Sequence, residues 1–441
     1  MAPPRVTAAR RWLVAALLGA GLAVVAPGAL AQDEYRFDVS EFEKKAFEFS
    51  GYTELRAEHF RLQPGAALYQ LNLFDQPRRT GLDRFSAAAE FSGIYRRGIA
   101  TFQATAHADA QHDALDSDRS LRLYEGYLTL EPATGTRLEA GKRALRWGKG
   151  YAWNPVGFVE RPKDPNDPEL SREGFAIVAG SVVRSFDGPL QNASVTAALV
   201  PTGPHLNKDF GSGSHLNPAV KLSVLYRDTD VDFVALGQGA RSARYGVDFS
   251  RNFGTNLEVH GEWARIRNNR RALFNPAGPP AMSTAHATSY LLGLRYLTQN
   301  DTTWIAEYYR NGTGYGSQEM RDWFTAAHSA SAQYEATGDA AALARARTVQ
   351  GSYARPNSMS RYLYLRASQK EPFDILYFTP SVTAIVNLSD RSYSLAPELL
   401  YTGFANVELR ARFFFIHGGR LSEFGEKQNS RRLELRARLS F

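Results

Sequence analysis

Cysteine is absent from the 441 residues. That excludes a disulfide framework, a thiolate nucleophile and any cysteine-ligated zinc or iron–sulfur site. Histidine is sparse too, with nine residues scattered along the chain, so neither a metal centre nor a cofactor is expected. Beyond the first thirty residues no apolar run approaches the about 18 residues that a membrane helix needs. Charge of one sign is also scarce. The formal total is +7, and Arg5, Arg10 and Arg11 supply three of those charges, leaving about +4 on the rest. An excess so small and dispersed argues against nucleic acid as a partner.

The N-terminus carries a different signal. Arg5, Arg10 and Arg11 precede an apolar stretch, Trp12 to Val25, and Ala29-Leu30-Ala31 has a small-x-small form. That order predicts an export signal over residues 1–31. Residues 32–46 are then expected as a periplasmic segment and 47–441 as the main domain. A single anchoring helix is the alternative, disfavoured by the short apolar core and by Pro27.

The rest of the chain alternates. In "RRLELRARLSF", Leu433, Leu435, Ala437, Leu439 and Phe441 share one parity, and Arg432, Glu434, Arg436 and Arg438 share the other. Strict period two makes a strand with one apolar and one charged face. Asn406–Phe415, Ser289–Leu297 and Arg244–Ser250 repeat the pattern. Candidate strands begin near residues 47, 84, 98, 119, 136, 174, 189, 217, 230, 242, 254, 285, 301, 361, 373, 391, 404 and 430. Globular strands average about 5–6 residues, whereas a tilted bilayer-spanning strand needs about 9–11, and the segments here are of the longer kind. Trp263, Trp304, Tyr308, Tyr309, Tyr393 and Tyr401 lie near segment ends, as an interfacial girdle requires.

The links give a second test. Short links alternate with mostly long ones (62–83, 148–173, 202–216, 268–284, 314–360, 418–429), although 237–241 and 388–390 on the long side are short. Short periplasmic turns and long extracellular loops define an all-β fold, a transmembrane antiparallel β-barrel of 16–18 strands in the outer membrane. Lipid satisfies no backbone polar group, so the sheet must close. Closure sets Glu48, Glu54, Arg56 and Glu58 of the first strand beside Arg432, Arg436 and Arg438 of the last. Pro380 and Pro397, inside neighbouring strands, predict bulges there.

One stretch breaks the alternation: "RWGKGYAWNPVGFVERPKDPNDPEL", Arg146 to Leu170. Pro155, Pro162, Pro165 and Pro168 exclude helix and stiffen it, while Gly148 and Gly150 permit sharp bends. Trp147, Tyr151, Trp153 and Phe158 give it something to bury. Two readings stay open: a constriction folded into the lumen through Trp147, Lys149, Trp153, Asn154, Arg161, Asp164 and Asp167, or a lid over the rim. Catalysis is the remote third. "DPNDPE" offers calcium-type oxygens from Asp164, Asn166, Asp167 and Glu169 but lacks the glycine and spacing of a dedicated loop. The alanine-rich part of 314–360 predicts one or two short helices.

Inside the barrel, parity places Arg410, Arg412, Arg432, Arg436 and Arg438 on the wall, with Glu54, Glu258, Glu262 and Glu307 on the acidic strands. Opposed basic and acidic walls would orient charged solutes; cross-strand pairing of solvated charges is the plainer alternative. His260, between Glu258 and Glu262, has no serine near it in sequence, so a lumen hydrogen-bonding role is expected and no catalytic residue is assigned.

The stretch "AGKRALRWGKGYAWNP", with "FDVSEFEKKAFEFSGYTELR" and "PELLYTGFANVELR", resembles uncharacterised porin-like barrels of Gram-negative bacteria, similar in kind to the alginate-export barrels. The terminal Phe441 resembles the C-terminal assembly signal of such barrels. The resemblance spans most of residues 32–441 and implies the fold, contact with outer-membrane lipid and lipopolysaccharide, and recognition by the barrel assembly machinery. Members are often encoded near RND-type exporters, which implies such a partner and a transport role, and no ligand residue carries over. The expected function is an outer-membrane channel for export or uptake of hydrophilic or amphiphilic solutes. The other function classes are a barrel enzyme acting on lipid or peptide, and a docking barrel of an envelope export complex.

Overall fold

The computed structural model describes residues 45–168 and 173–441. The expected export signal, and all but the last two residues of the 32–46 segment, lie outside the described residues. Eighteen strands follow in chain order: β1 (Phe47–Leu62), β2 (Gly81–Arg97), β3 (Ala100–Asp113), β4 (Ser117–Ala133), β5 (Thr136–Arg143), β6 (Phe175–Ser185), β7 (Leu190–Thr202), β8 (His215–Tyr226) and β9 (Thr229–Leu236). Then come β10 (Arg244–Phe253), β11 (Leu257–Leu273), β12 (Ala281–Leu297), β13 (Thr302–Arg310), β14 (Arg361–Gln369), β15 (Phe378–Asn387), β16 (Ser392–Phe404), β17 (Val407–His417) and β18 (Asn429–Ser440). Each expected strand start lies within five residues of an observed one.

Every strand pairs antiparallel with its sequence neighbours, and β18 pairs with β1. The sheet is closed, so no edge is left unpaired. The expected seam is present, with Glu54 opposite Arg438 but Arg56 opposite Arg436. Burial is inverted relative to a water-soluble domain. On β18, Leu435 and Leu439 are each 49 % exposed whereas Glu434 is 2 % exposed. Period-two alternation here sends apolar side chains outward and charged ones inward, the arrangement a membrane barrel requires.

Short links (98–99, 134–135, 405–406 among them) gather at one end of the strands, and the long ones at the other. The long-loop end holds four helices: α1 (Ala67–Leu73), which the sequence reading missed, then α2 (Ser317–Thr337), α3 (Ala341–Arg347) and α4 (Gln350–Tyr353). β11 and β12 run further than expected, leaving only 274–280 as their link.

Two expectations are corrected. Pro380 and Pro397 do not mark bulges. Pro380 sits one residue beyond the β14 ladder, and Pro397 lies in a two-residue gap of the β17 ladder whose register is unchanged on either side. A missing N–H costs nothing where no acceptor faces it. Tyr309 is not part of an outer girdle: it points inward and stacks on Trp153.

Candidate functional site

Between β5 and β6 the chain leaves the wall at residue 144 and returns at 174. Its backbone is captured by two inward-facing carboxylates. Glu262 of β11 accepts hydrogen bonds from Lys149 N (2.7 Å), Gly150 N (2.6 Å) and Val156 N (3.1 Å). Glu307 of β13 accepts from Tyr151 N and from Ala152 N, the latter at 2.9 Å. So close an approach explains Gly148, whose φ of +98° is left-handed and whose Cβ would meet Glu262 Oε1 at 2.7 Å.

The aromatic residues then find their place. Trp153 stacks on Tyr309 at 5.1 Å, with Tyr362 at 5.9 Å and Tyr364 at 6.0 Å. Trp147, Val156, Phe158 and Val159 pack with Phe175, Ile177, Val200, Val234 and Ala264 on the inner face of β6–β11. Within the loop, Glu160 accepts from Trp147 N and from Asn154 Nδ2 (2.9 Å), and Lys163 Nζ donates to Gly150 O. Arg161 pairs with Glu173 and Asp209. Four prolines remove donors that would otherwise need partners in this confined space.

The two ends of the run reach different walls. Lys149 Nζ lies 2.5 Å from Asp230, 3.3 Å from Asp232 and 4.0 Å from Asp248, on β9 and β10. Burial alone would depress the Lys149 pKa, but the hydrogen bond to Asp230 and the charges of Asp232, Asp230 and Asp248 outweigh it, and the pKa is raised. At the other end Asp167 lies 3.2 Å from Arg436 on β18. β9 and β18 are nine strands apart in a ring of eighteen, so residues 149–167 cross the lumen from one side to the other. Asp164, exposed, caps its own turn through Asn166 N at 2.9 Å and lies close enough to Arg432 for their charges to attract.

The basic wall is backed by carboxylates. Arg412 and Arg410 hold Glu398, Arg410 also holds Glu408, Arg432 pairs with Glu58, Arg438 with Glu54, and Arg436 with Glu434 and Glu54. Exposure separates the two signs. Arg56, Arg432 and Arg438 keep 24–29 % of their side chains exposed, against 3–5 % for Glu54, Glu58 and Glu434. Arg56, Arg432 and Arg438 face the water with carboxylates beneath them. The expectation that Arg412 and Arg436 line the open path is corrected: both are buried (5 % and 6 % exposed), held against Glu398 and against Glu434, Glu54 and Asp167.

The expected bare acidic wall is corrected. Glu262 (3 % exposed) and Glu307 (0 %) point inward but are covered by the loop, so they anchor it and do not line an open path. Of that set Glu258 keeps partial exposure, beside His260 at 3.5 Å. His260 Nε2 lies 2.9 Å from Glu307, and among the described residues no serine hydrogen-bonds to it. Among the described residues no cluster able to hold a metal ion is present; Glu169, one of the calcium-type oxygens, lies outside them. The sequence reading missed Asp230 and Asp232 as the lysine's partners, although their place on β9 could have been searched. Phe441 stacks on Phe49 at 5.8 Å, meets Phe91 at a tilt at 5.9 Å, and exchanges backbone hydrogen bonds with Gly51 at the seam.

No protein-family model matches the sequence, and no curated protein does. Among solved structures the chain is similar to OccK5 (OpdH) of Pseudomonas aeruginosa at 12% identity and a TM-score of 0.51, covering 89% of this chain and 98% of that one. It also aligns with a triple mutant of the Rhodopseudomonas blastica porin at 9% identity and a TM-score of 0.43, covering 90% and 100%. The first likeness and the closed eighteen-stranded sheet together identify the fold as a porin-like membrane β-barrel.

Proposed function

We propose that the protein is an outer-membrane channel for small hydrophilic or amphiphilic solutes, with residues 149–167 as its constriction and the long loops on the extracellular side. The observation that carries this reading is the pair of contacts, Lys149 with Asp230 and Asp167 with Arg436, that ties one stiff segment to opposite walls. A barrel of this strand number encloses an aqueous lumen when its interior is empty. A segment across it reduces that lumen to the space beside the arginine wall. Exposed guanidinium groups over buried carboxylates give that path a modest preference for anions, because the nearest unscreened charges are positive. A solute there meets Arg56, Arg432 and Arg438 on one side and the exposed Asp164 on the other.

The test is single-channel recording of the purified protein in a planar bilayer under a salt gradient. Discrete conductance with a reversal potential of anion-selective sign supports the reading. A barrel that never conducts, while remaining folded, contradicts it and favours the docking class.

A further inference from the structure

The barrel pairs arginine directly opposite arginine at four places: Arg56 with Arg436, Arg410 with Arg436, Arg61 with Arg431, and Arg310 with Arg361. Like charges directly opposite on a sheet repel. The first two pairs face the lumen, where Glu54, Glu408 and Glu434 lie against them. The other two face outward at the long-loop end. The side chains of Arg310 and Arg361 are exposed, and among the described residues neither has a carboxylate or hydrogen-bond partner; the same holds for Arg61 and Arg431.

The level of Arg310 and Arg361 on the outer surface is fixed by their neighbours. Tyr309 and Tyr362, adjacent in sequence, turn inward to Trp153, so the two arginines turn outward. Arg310 stands two residues beyond Tyr308, whose ring contacts Tyr290 at 6.0 Å, and Arg265 two residues beyond Trp263, whose ring contacts Tyr245 at 5.8 Å. These four rings on β10–β13 form an aromatic belt of the kind that sits at the headgroup boundary of a bilayer. The next outward-facing side chains beyond such a belt meet lipid headgroups. Arg265 faces Thr288, and Arg310 faces Tyr290, across β12, so β12 separates Arg265 from the Arg310–Arg361 pair.

We propose that Arg310 and Arg361, with Arg265, bind the phosphate of a lipid headgroup in the leaflet at the long-loop end. The inference rests on the membrane orientation given above. A phosphate between two guanidinium forks converts a repulsive pair into two charge-assisted contacts, and arginine suits it because its planar fork grips phosphate in a bidentate manner. A second copy of the chain does not fit, since a two-fold contact would set these arginines against one another. A free anion does not fit either, because the site opens toward the lipid-facing surface beside the belt.

The test compares wild type with R310Q/R361Q in detergent micelles, titrated with bis-phosphorylated lipid A and with the same lipid after dephosphorylation, and read by native mass spectrometry. R137Q, which removes an exposed arginine at the short-turn end that is already paired with Glu131 and shares the inward parity of Glu139, is the control. The double variant is expected to bind the phosphorylated lipid about tenfold more weakly, since two charge-assisted contacts are lost, with R137Q unchanged. Dephosphorylated lipid binds neither protein tightly, and millimolar inorganic phosphate does not compete. Equal binding by R310Q/R361Q, equal binding of the dephosphorylated lipid, full competition by phosphate, or a change of oligomeric state in place of lipid loss each overturns the proposal. If the double variant fails to fold, the single R265Q decides, and unchanged affinity there overturns it. Conductance is recorded on the same preparations: lipid loss with conductance intact separates this site from the channel, and a non-conducting wild type sinks the channel reading alone.

Discussion

Two stretches of inner wall, about a third of a turn of the barrel apart, both carry dense charge and use it in opposite ways. On β11 and β13, Glu262 and Glu307 are covered, and their oxygens are spent on five backbone N–H groups of the loop. On β18 and β1, Glu54, Glu58 and Glu434 lie deep and Arg56, Arg432 and Arg438 stand over them toward the water. Parity alone assigns both sets to the same inner face. The difference lies in what else is buried there. A carboxylate that receives backbone donors becomes a structural anchor, while one that receives guanidinium groups sets the charge of the passage above it.

The largest effect that would break this contrast is at the anchors. Each backbone N–H left buried and unpaired costs about 1–3 kcal/mol, so E262A/E307A is expected to undock the loop and not merely loosen it. Limited proteolysis of folded barrels should then cut between residues 150 and 168; continued protection would show that Trp153 and its tyrosines hold the loop without the carboxylates. R412Q comes next. It leaves Glu398 buried beside Arg366 and Arg410 without its hydrogen-bonded partner, a loss of about 3–5 kcal/mol for a broken buried pair. Denaturant unfolding in micelles measures it; the control is R137Q, which removes an exposed pair with Glu131 and is expected within about 1 kcal/mol of wild type.

Smaller, and the sharpest discriminator between the walls, is R432Q/R438Q. Each is a partner of a buried carboxylate, Glu58 or Glu54, so some loss of stability is expected as well, and the barrels that remain folded should show a reversal potential moved toward cations. An unchanged reversal potential would mean that the arginines do not face the conducting path. The smallest effect is on pH. The Lys149 pKa is raised in the folded protein, so its contribution to docking is complete below the ordinary lysine value of about 10.4 and is lost only as pH rises through the raised value. Asp230, Asp232, Asp248 and Lys221 surround the same ammonium group. Conductance is expected to stay constant from neutral pH to about pH 10 as far as Lys149 governs it, and to increase above that. K149M should show the higher value throughout.

The barrel itself was legible in the sequence because lipid outside and water inside impose period two on every strand, as in Leu433–Phe441. The seam followed from that periodicity, and the strand count to within 16–18, which the structure fixes at eighteen. The loop's fate was not legible, for a physical reason. Its aromatic and proline content shows that it is stiff and needs something to bury against, but its partners lie far along the chain: Glu262 is 112 residues from Gly150, Glu307 is 156 from Tyr151, and Arg436 is 269 from Asp167. Parity placed Glu262 and Glu307 inward correctly and could not reveal what would cover them. α1 was missed because its seven residues are too few for a helical period to stand out. Arg310 and Arg361 fall on the ends of strands separated by fifty residues, so their repulsive pairing emerges only from the register.

If residues 149–167, which cross the lumen, set its width, removing them must widen it. Replacing residues 151–168 by a short Gly/Ser linker and recording single channels tests it most directly. The account predicts an open-state conductance at least about two-fold above wild type, because a lumen of this strand number is a wide aqueous channel once emptied, together with weaker ion selectivity. An SDS-resistant, fully assembled variant whose open-state conductance equals that of wild type would contradict it.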